Sequence, residues 1–406
     1  MDTTKDMPSS PHRGSVRPIV LTAAYYSSLA LLGLATAAAG PSLPTLASHT
    51  ASSLGRISLF FVADAFGYLL GSLTGGRLYD RLPGHRLMAG MLLLMSVAAV
   101  GIPLASVLWL LLLLGFLLGL GKGALDVGCN TLLQWVHGNR VGPFMNGLHF
   151  AFGLGSLLAP LLLAQVLSLT HEIRWLFWII AILMAPMMIW LWLLPEPHAG
   201  LSGSTDDSAR APFLPVVLMV LVFLLYVGAE VGFSNWIYTY AITLRLADAI
   251  TAAYLTSAYW AFYTIGRLLG IWVSTRLRSG TILYVDFAGC LLSLVLIGIA
   301  HDSVPVLWVG SMGLGLSTAS IFPTLLILAG QRLRVTGTVT GLFLLGGGAG
   351  SMLLPWVIGQ AFTSAGPHSM LSILLLDLAL ALMMLVLFIR GSRPARKPVP
   401  LTGPAL

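Results

Sequence analysis

Charge is scarce in this sequence. Asp, Glu, Lys and Arg together supply 9% of its 406 residues while 57% are hydrophobic, against roughly 25% charged content in soluble globular domains. No soluble core of this size hides that much apolar surface, so a water-soluble fold is excluded. Cysteine is nearly absent too: Cys129 and Cys290 are the only two. Both fall inside apolar runs, which excludes a disulfide framework. There is no metal-spaced His/Cys cluster, no Ser-His-Asp set around a nucleophile motif and no phosphate-binding glycine loop; Gly346-Gly347-Gly348 sits within an apolar stretch. Enzyme chemistry therefore has no visible carrier, and no organic cofactor is expected. The formal charge of +7 is spread over alternate loops instead of forming one patch, which argues against a nucleic-acid partner.

What the chain has in abundance is long apolar runs, each reaching the roughly 20 residues needed to cross about 30 Å of hydrocarbon. They lie near residues 18–40, 54–77, 87–105, 107–136, 143–167, 174–194, 213–242, 249–275, 280–299, 304–330, 337–362 and 368–390. The first is too long for a signal-peptide core and lacks a cleavage site, so it reads as a retained span. With the N-terminus placed in the cytoplasm, sixteen Lys and Arg residues fall on that side, and only Arg56, Arg174 and Arg245 fall opposite. This positive-inside bias requires an even number of crossings. The expectation is an all-α membrane protein of twelve transmembrane helices, multi-pass in the plasma membrane and surrounded by lipid bilayer, with both termini cytoplasmic.

The segment 195–212 holds Gly200, Ser202, Gly203, Ser204, Asp206 and Asp207, a composition unable to bury a core. It reads as a cytoplasmic linker between a six-helix half at 1–194 and another at 213–390, with a tail at 391–406. The halves repeat. Gly71 and Gly266, Gly75 and Gly270, Arg81 and Arg276, Gly155 and Gly350, Ser156 and Ser351, Pro160 and Pro355, and Gln165 and Gln360 share one offset, 266 − 71 = 195. Parallel six-span repeats place a binding site at their interface near the bilayer midplane. The paired glycines, four residues apart, are expected to mark close helix contacts.

Seven charges lie within spans: Asp64, Lys122, Asp126, Glu230, Arg267, Asp286 and Asp377. Each costs about 2.5–3.5 kcal/mol at the bilayer centre, so they must pair, face water or hold cations. Lys122, Asp126, Asn130 and Gln134 recur every four residues and form a polar stripe along the fourth span. Lys122 and Asp126, one turn apart, are expected to contact each other and to alternate with occupancy. Glu230, Ser234 and Tyr238 repeat the spacing on the seventh span, beside Asn235 and Trp236. Tyr259, Tyr263 and Arg267 do so on the eighth. Matching depths suggest a structural Arg267 to Asp286 pair, from 1.5 Å of rise per residue. Trp236 at a helix end also suits an interfacial anchor, and His149 suits either a titrating or a packing role.

After the second span comes Gly76-Arg77-Leu78-Tyr79-Asp80-Arg81-Leu82-Pro83-Gly84-His85-Arg86. This resembles the signature loop between helices two and three of the major facilitator superfamily, with Pro83 inserted. The runs Leu125 to Asn130, Leu148 to Phe150 with Gly153, Gly155 and Pro160, and Gly228 to Tyr240 resemble the branch of sodium-dependent glucose transporter 1 type proteins and, more distantly, the fucose permeases. The resemblance implies two six-helix halves related by a pseudo-twofold axis, with helices one, four, seven and ten lining a central cavity. It makes Asp80 and Arg81 a conformational latch and matches Asp126 and Asn130 to the permeases' acid–amide pair. The acid that those permeases carry on helix one has no counterpart here.

The expected function is secondary active transport of a sugar or similar polyhydroxylated solute by H⁺- or Na⁺-coupled symport, by a monomer. Asn130, Gln134, His149, Asn235, Trp236 and Tyr263 are the expected substrate contacts, with Lys122, Asp126 and Glu230 coupling the cation. The alternatives are efflux of amphipathic drugs or lipids, weakened because helix five carries Ala159-Pro160-Leu161-Leu162-Leu163 in place of a drug-antiporter seam, and a non-transporting membrane sensor.

Overall fold

A computed structural model describes residues 17–196, 213–333 and 336–392. Most of the 195–212 linker and of the 391–406 tail lies outside these residues. The described chain forms twelve long helices: α1 (Pro18–His49), α2 (Leu54–Tyr79), α3 (Gly84–Leu104), α4 (Leu108–His137), α5 (Val141–Thr170), α6 (Arg174–Leu193), α7 (Phe213–Thr243), α8 (Ala249–Ser274), α9 (Ser279–Ile299), α10 (Val304–Arg332), α11 (Gly337–Ala365) and α12 (Ser369–Gly391). Eleven are long and apolar enough to cross a membrane. The twelfth, α8, carries Tyr254, Tyr259, Tyr263, Arg267 and several threonines, and much of this polar content faces other helices.

The first helix runs nine residues beyond the expected end at Gly40, passing Pro41 and Pro44. Proline is tolerated in a membrane helix where neighbouring groups compensate for the lost amide donor. Here α1 is packed on several sides by α5, α4, α7 and α6.

The two halves repeat their packing. In the first, α1 lies on α5 and α2 on α4; in the second, α7 lies on α11 and α8 on α10. Glycines at the 195-residue offset make equivalent contacts. Gly155 abuts the backbone of Ala30 and Gly350 that of Leu224, while Gly71 abuts Leu120 and Gly266 abuts Leu316. Water cannot drive helices together inside lipid, so such small-residue seams and the dispersion contacts they permit carry the association.

One seam matters most for the polar groups. Gly67 and Gly71 of α2 interlock with Gly119 and Gly123 of α4, where a β-carbon would collide with the carbonyls of Phe116, Leu120, Asp64 and Tyr68 respectively. Gly123→Ala is therefore expected to force α2 from α4 at about 1–3 kcal/mol, lowering Tm in a thiol-reactive dye assay that reports exposure of buried Cys129 and Cys290. Gly76→Ala, with open space around it, should leave Tm unchanged. Equal Tm values for both would contradict the seam.

Candidate functional site

The close approach of α2 to α4 decides the partners of the fourth-span stripe. Lys122 is 3% exposed and its Nζ donates to Oδ2 of Asp64 at 2.7 Å. The expected Lys122–Asp126 contact is not made. Four-residue spacing on one helix allows that contact, but the glycine seam presents an acid from α2 at shorter reach. Asp126 instead accepts a short hydrogen bond from the Tyr68 hydroxyl. Asn130 Nδ2 donates to Asp126 Oδ1 at 2.9 Å and to its backbone carbonyl at 2.9 Å. No cation pairs with Asp126 among the described residues. Gln134, two turns on from Asp126, is exposed.

The second half builds a comparable cluster around Glu230. Tyr226 donates a short hydrogen bond to Oε2 and also lies 3.0 Å from the carbonyl of Thr318. Tyr263 donates to Oε1 at 3.0 Å, and Arg267 Nη2 donates to the Tyr263 oxygen at 2.5 Å. The guanidinium lies over the Tyr263 ring, 4.8 Å from its centroid. Glu230 and Arg267 thus form a charge pair relayed through one phenol. Thr318 ends the first segment of α10, which breaks before Ile321.

The two clusters share a feature that is visible only through the repeat. Tyr68 and Tyr263 stand at the repeat offset, 263 − 68 = 195, and each places its hydroxyl on an acid of a different helix, Asp126 on α4 or Glu230 on α7. The offset was the available signal. Tyrosine inside an apolar span reads as packing until the partner is in view.

Other expectations need correction. Arg267 and Asp286 do not pair; Asp286 is bonded to Ser320 at the α10 break. Matching depth along two helices leaves their rotation about the axes open, and the rotation sends Arg267 to Tyr263. Trp236 is fully buried, donates Nε1–H to the Pro355 carbonyl at 2.9 Å and stacks on Phe362 at 5.1 Å. With Phe61 of the other half at 6.3 Å, it closes the bundle and presents no face to a ligand. Tyr263, 1% exposed, spends its hydroxyl on Glu230 and Arg267, so it supports the site from behind. Asn235 is half-buried, with its backbone against Gly40 of α1. His149 is half-buried within electrostatic reach of Arg267 across the interface. Asp64, without an evident partner in the sequence, has Lys122. Asp377 remains buried, its Oδ2 unpartnered among the described residues, and nothing in the structure explains it.

The halves are joined at one end. Among the described residues these hydrogen bonds cross between them: Gln360 to the Gly55 carbonyl at 2.6 Å, the Gly55 amide to Thr363 at 2.8 Å, Gln165 to Tyr254 at 3.0 Å and Ser257 to the Leu157 carbonyl at 3.2 Å. All belong to the part of the bundle away from the 196–213 connection. Gln165 and Gln360, a pair at the repeat offset, thus each clasp the opposite half. At the end where α2 meets α3, Asp80 and Arg81 are exposed and make no ion pair among the described residues. The far end of the bundle is therefore the closed one.

Twelve long helices in two repeated halves, an acid cluster held within each half and hydrogen bonds that join the halves at one end define a multi-pass membrane transporter for a small molecule. The family model described as Major Facilitator Superfamily matches residues 25–355, and the chain belongs to that superfamily. It is 30% identical over 356 residues to sodium-dependent glucose transporter 1 of Xenopus laevis, covering 80% of this chain and 72% of that protein. Its structure is similar to the inward open conformation of the xylose transporter XylE from E. coli, with a TM-score of 0.76 at 13% identity over 91% and 95% of the two chains. It is similar also to a mutant of the nucleoside transporter NupG, with a TM-score of 0.74 at 12% identity over 92% and 99%.

Proposed function

We infer that the chain imports a sugar or similar polyhydroxylated solute by cation-coupled symport, as a monomer in the plasma membrane with both termini cytoplasmic. The observation that carries this reading is the pairing state of three half-buried acids. Asp64 is neutralised by Lys122 and Glu230 is relayed to Arg267 through Tyr263. Asp126 has only neutral donors around it. A carboxylate without a counter-ion in a low-dielectric site gains most from a proton or Na⁺, so Asp126 is the coupling acid. The name of the Xenopus relative supports sodium and a hexose as the first ion and solute to try.

In this orientation the sealed end faces outward and the site opens to the cytoplasm. Substrate hydroxyls then meet Asn130, Gln134, His149 and Asn235, which supply both donors and acceptors. Asp80 and Arg81 engage the other half only when the cytoplasmic end closes. Counterflow of labelled glucose, xylose and a nucleoside in proteoliposomes tests the solute class. Exchange of at least one sugar above protein-free vesicles is expected, and no exchange of any sugar would overturn the reading.

A further inference from the structure

The internal repeat exposes a site outside the central cavity. In the first half, Glu196 follows α6 and caps the start of α3: the His85 amide donates to Oε2 at 2.9 Å and the Arg86 amide to Oε1 at 3.4 Å. An anion there satisfies amides that a helix start leaves without internal partners and complements the positive end of its dipole. In the second half the equivalent helix is α9, and His85 and Arg86 correspond to Gly280 and Thr281. The position at the repeat offset from Glu196 is 196 + 195 = 391; it is Gly391, here the last residue of α12. The carboxylate is missing. Arg278 precedes α9 without providing a side-chain cap, and the first turn of α9 contains no acid.

A cavity of about 440 Å³ occupies this place, lined by Arg278, Ser279, Gly280, Gln331 and Arg332 among others, with Ile327 on its apolar side and no acidic residue in its wall among the described residues. Arg332 is held in position by Nη1 donation to the carbonyls of Ile389 and Ser392, both at 2.7 Å. Arg278 is exposed and unpaired among the described residues. Residues 393–406 contain no Asp or Glu either. The volume far exceeds a carboxylate, and the cavity lies at the ends of membrane helices where polar and apolar walls meet.

We propose that this cavity binds a phosphate group, held by Arg278, Arg332 and the amides of Ser279 and Gly280, since those of Thr281 and Ile282 already donate to the Arg278 carbonyl, in the position that Glu196 fills in the first half. Phosphate chemistry suits two arginines and a helix start, and basic pockets between membrane helices at the cytoplasmic face take lipid head groups. The occupant locks α9 to α10 and α12 as Glu196 locks α3 to the end of α6.

The full chain in nanodiscs of phosphatidylcholine, with and without phosphatidylglycerol, tests this by Tm. Phosphatidylglycerol should raise Tm by about 2 °C or more, and Arg278→Gln should abolish the rise. Gly391→Glu, where a side chain meets open space, should restore the internal carboxylate: its Tm should be raised in phosphatidylcholine alone and respond no further. If inorganic phosphate reproduces the rise in phosphatidylcholine discs, and Gly391→Glu cancels it, the occupant is a soluble phosphate. No rise with either probe, or a rise unaltered in both variants, would overturn the proposal.

Discussion

Asp126→Asn is expected to abolish accumulation of solute against its gradient while exchange at equilibrium persists. The variant keeps the size of the side chain and its ability to accept from Tyr68, whose hydroxyl bonds Asp126 in the wild type. It loses the one half-buried acid of the central site that no basic group balances among the described residues. A tenfold ion gradient is worth about 1.4 kcal/mol per ion, so one coupled cation sustains about tenfold accumulation. In Asp126→Asn the ratio should fall to about one, whatever the pH or Na⁺ gradient. Retained accumulation with wild-type ion dependence would reduce Asp126 to a structural role and leave Glu230 as the coupling acid.

Lys122→Ala should be the most damaging substitution for folding. Lys122 is nearly sealed from solvent and its only ion-pair partner among the described residues is Asp64. Removing one member of a buried pair costs about 3–5 kcal/mol because the other charge stays behind, whereas replacing both with apolar side chains is often neutral. Lys122→Ala should therefore aggregate or lose most of its monodisperse peak after detergent extraction. Lys122→Met combined with Asp64→Leu should recover it. Recovery by the double variant, together with intact coupled transport, would confirm that the pair holds α2 to α4 and takes no part in coupling. Transport lost in a well-folded double variant would return Lys122 to the coupling machinery.

Much of this architecture is legible in the residue order because the bilayer leaves few choices. Each span must be apolar and about one membrane thickness long, and the basic loops and the constant 195-residue offset organise those spans into two halves. The polar contacts are harder to read. The stripe Lys122, Asp126, Asn130, Gln134 shows which side chains share a face, but the partners of that face come from another helix. Gly67, Gly71, Gly119 and Gly123 set how near α2 comes, and that approach substitutes Asp64 and Tyr68 for the expected neighbours. Arg267 and Asp286 show the same limit, since depth is countable from the sequence and rotation about the helix axis is not. Trp236 reads equally as a stacking surface and as an anchor until Pro355, Phe362 and Phe61 enclose it. Tyr68 and Tyr263 are the opposite case, a pair present in the offset whose meaning emerges only with the acids they hold.

The most direct test of cation-coupled solute import is a proteoliposome measurement with sugar equal on both sides and an ion gradient, Na⁺ or H⁺, as the only driving force. The account predicts net sugar accumulation on the ion-poor side for at least one of the two ions in the wild type and none in Asp126→Asn. Sugar that stays equal across the membrane under both gradients, while still exchanging, would show a passive carrier and contradict it.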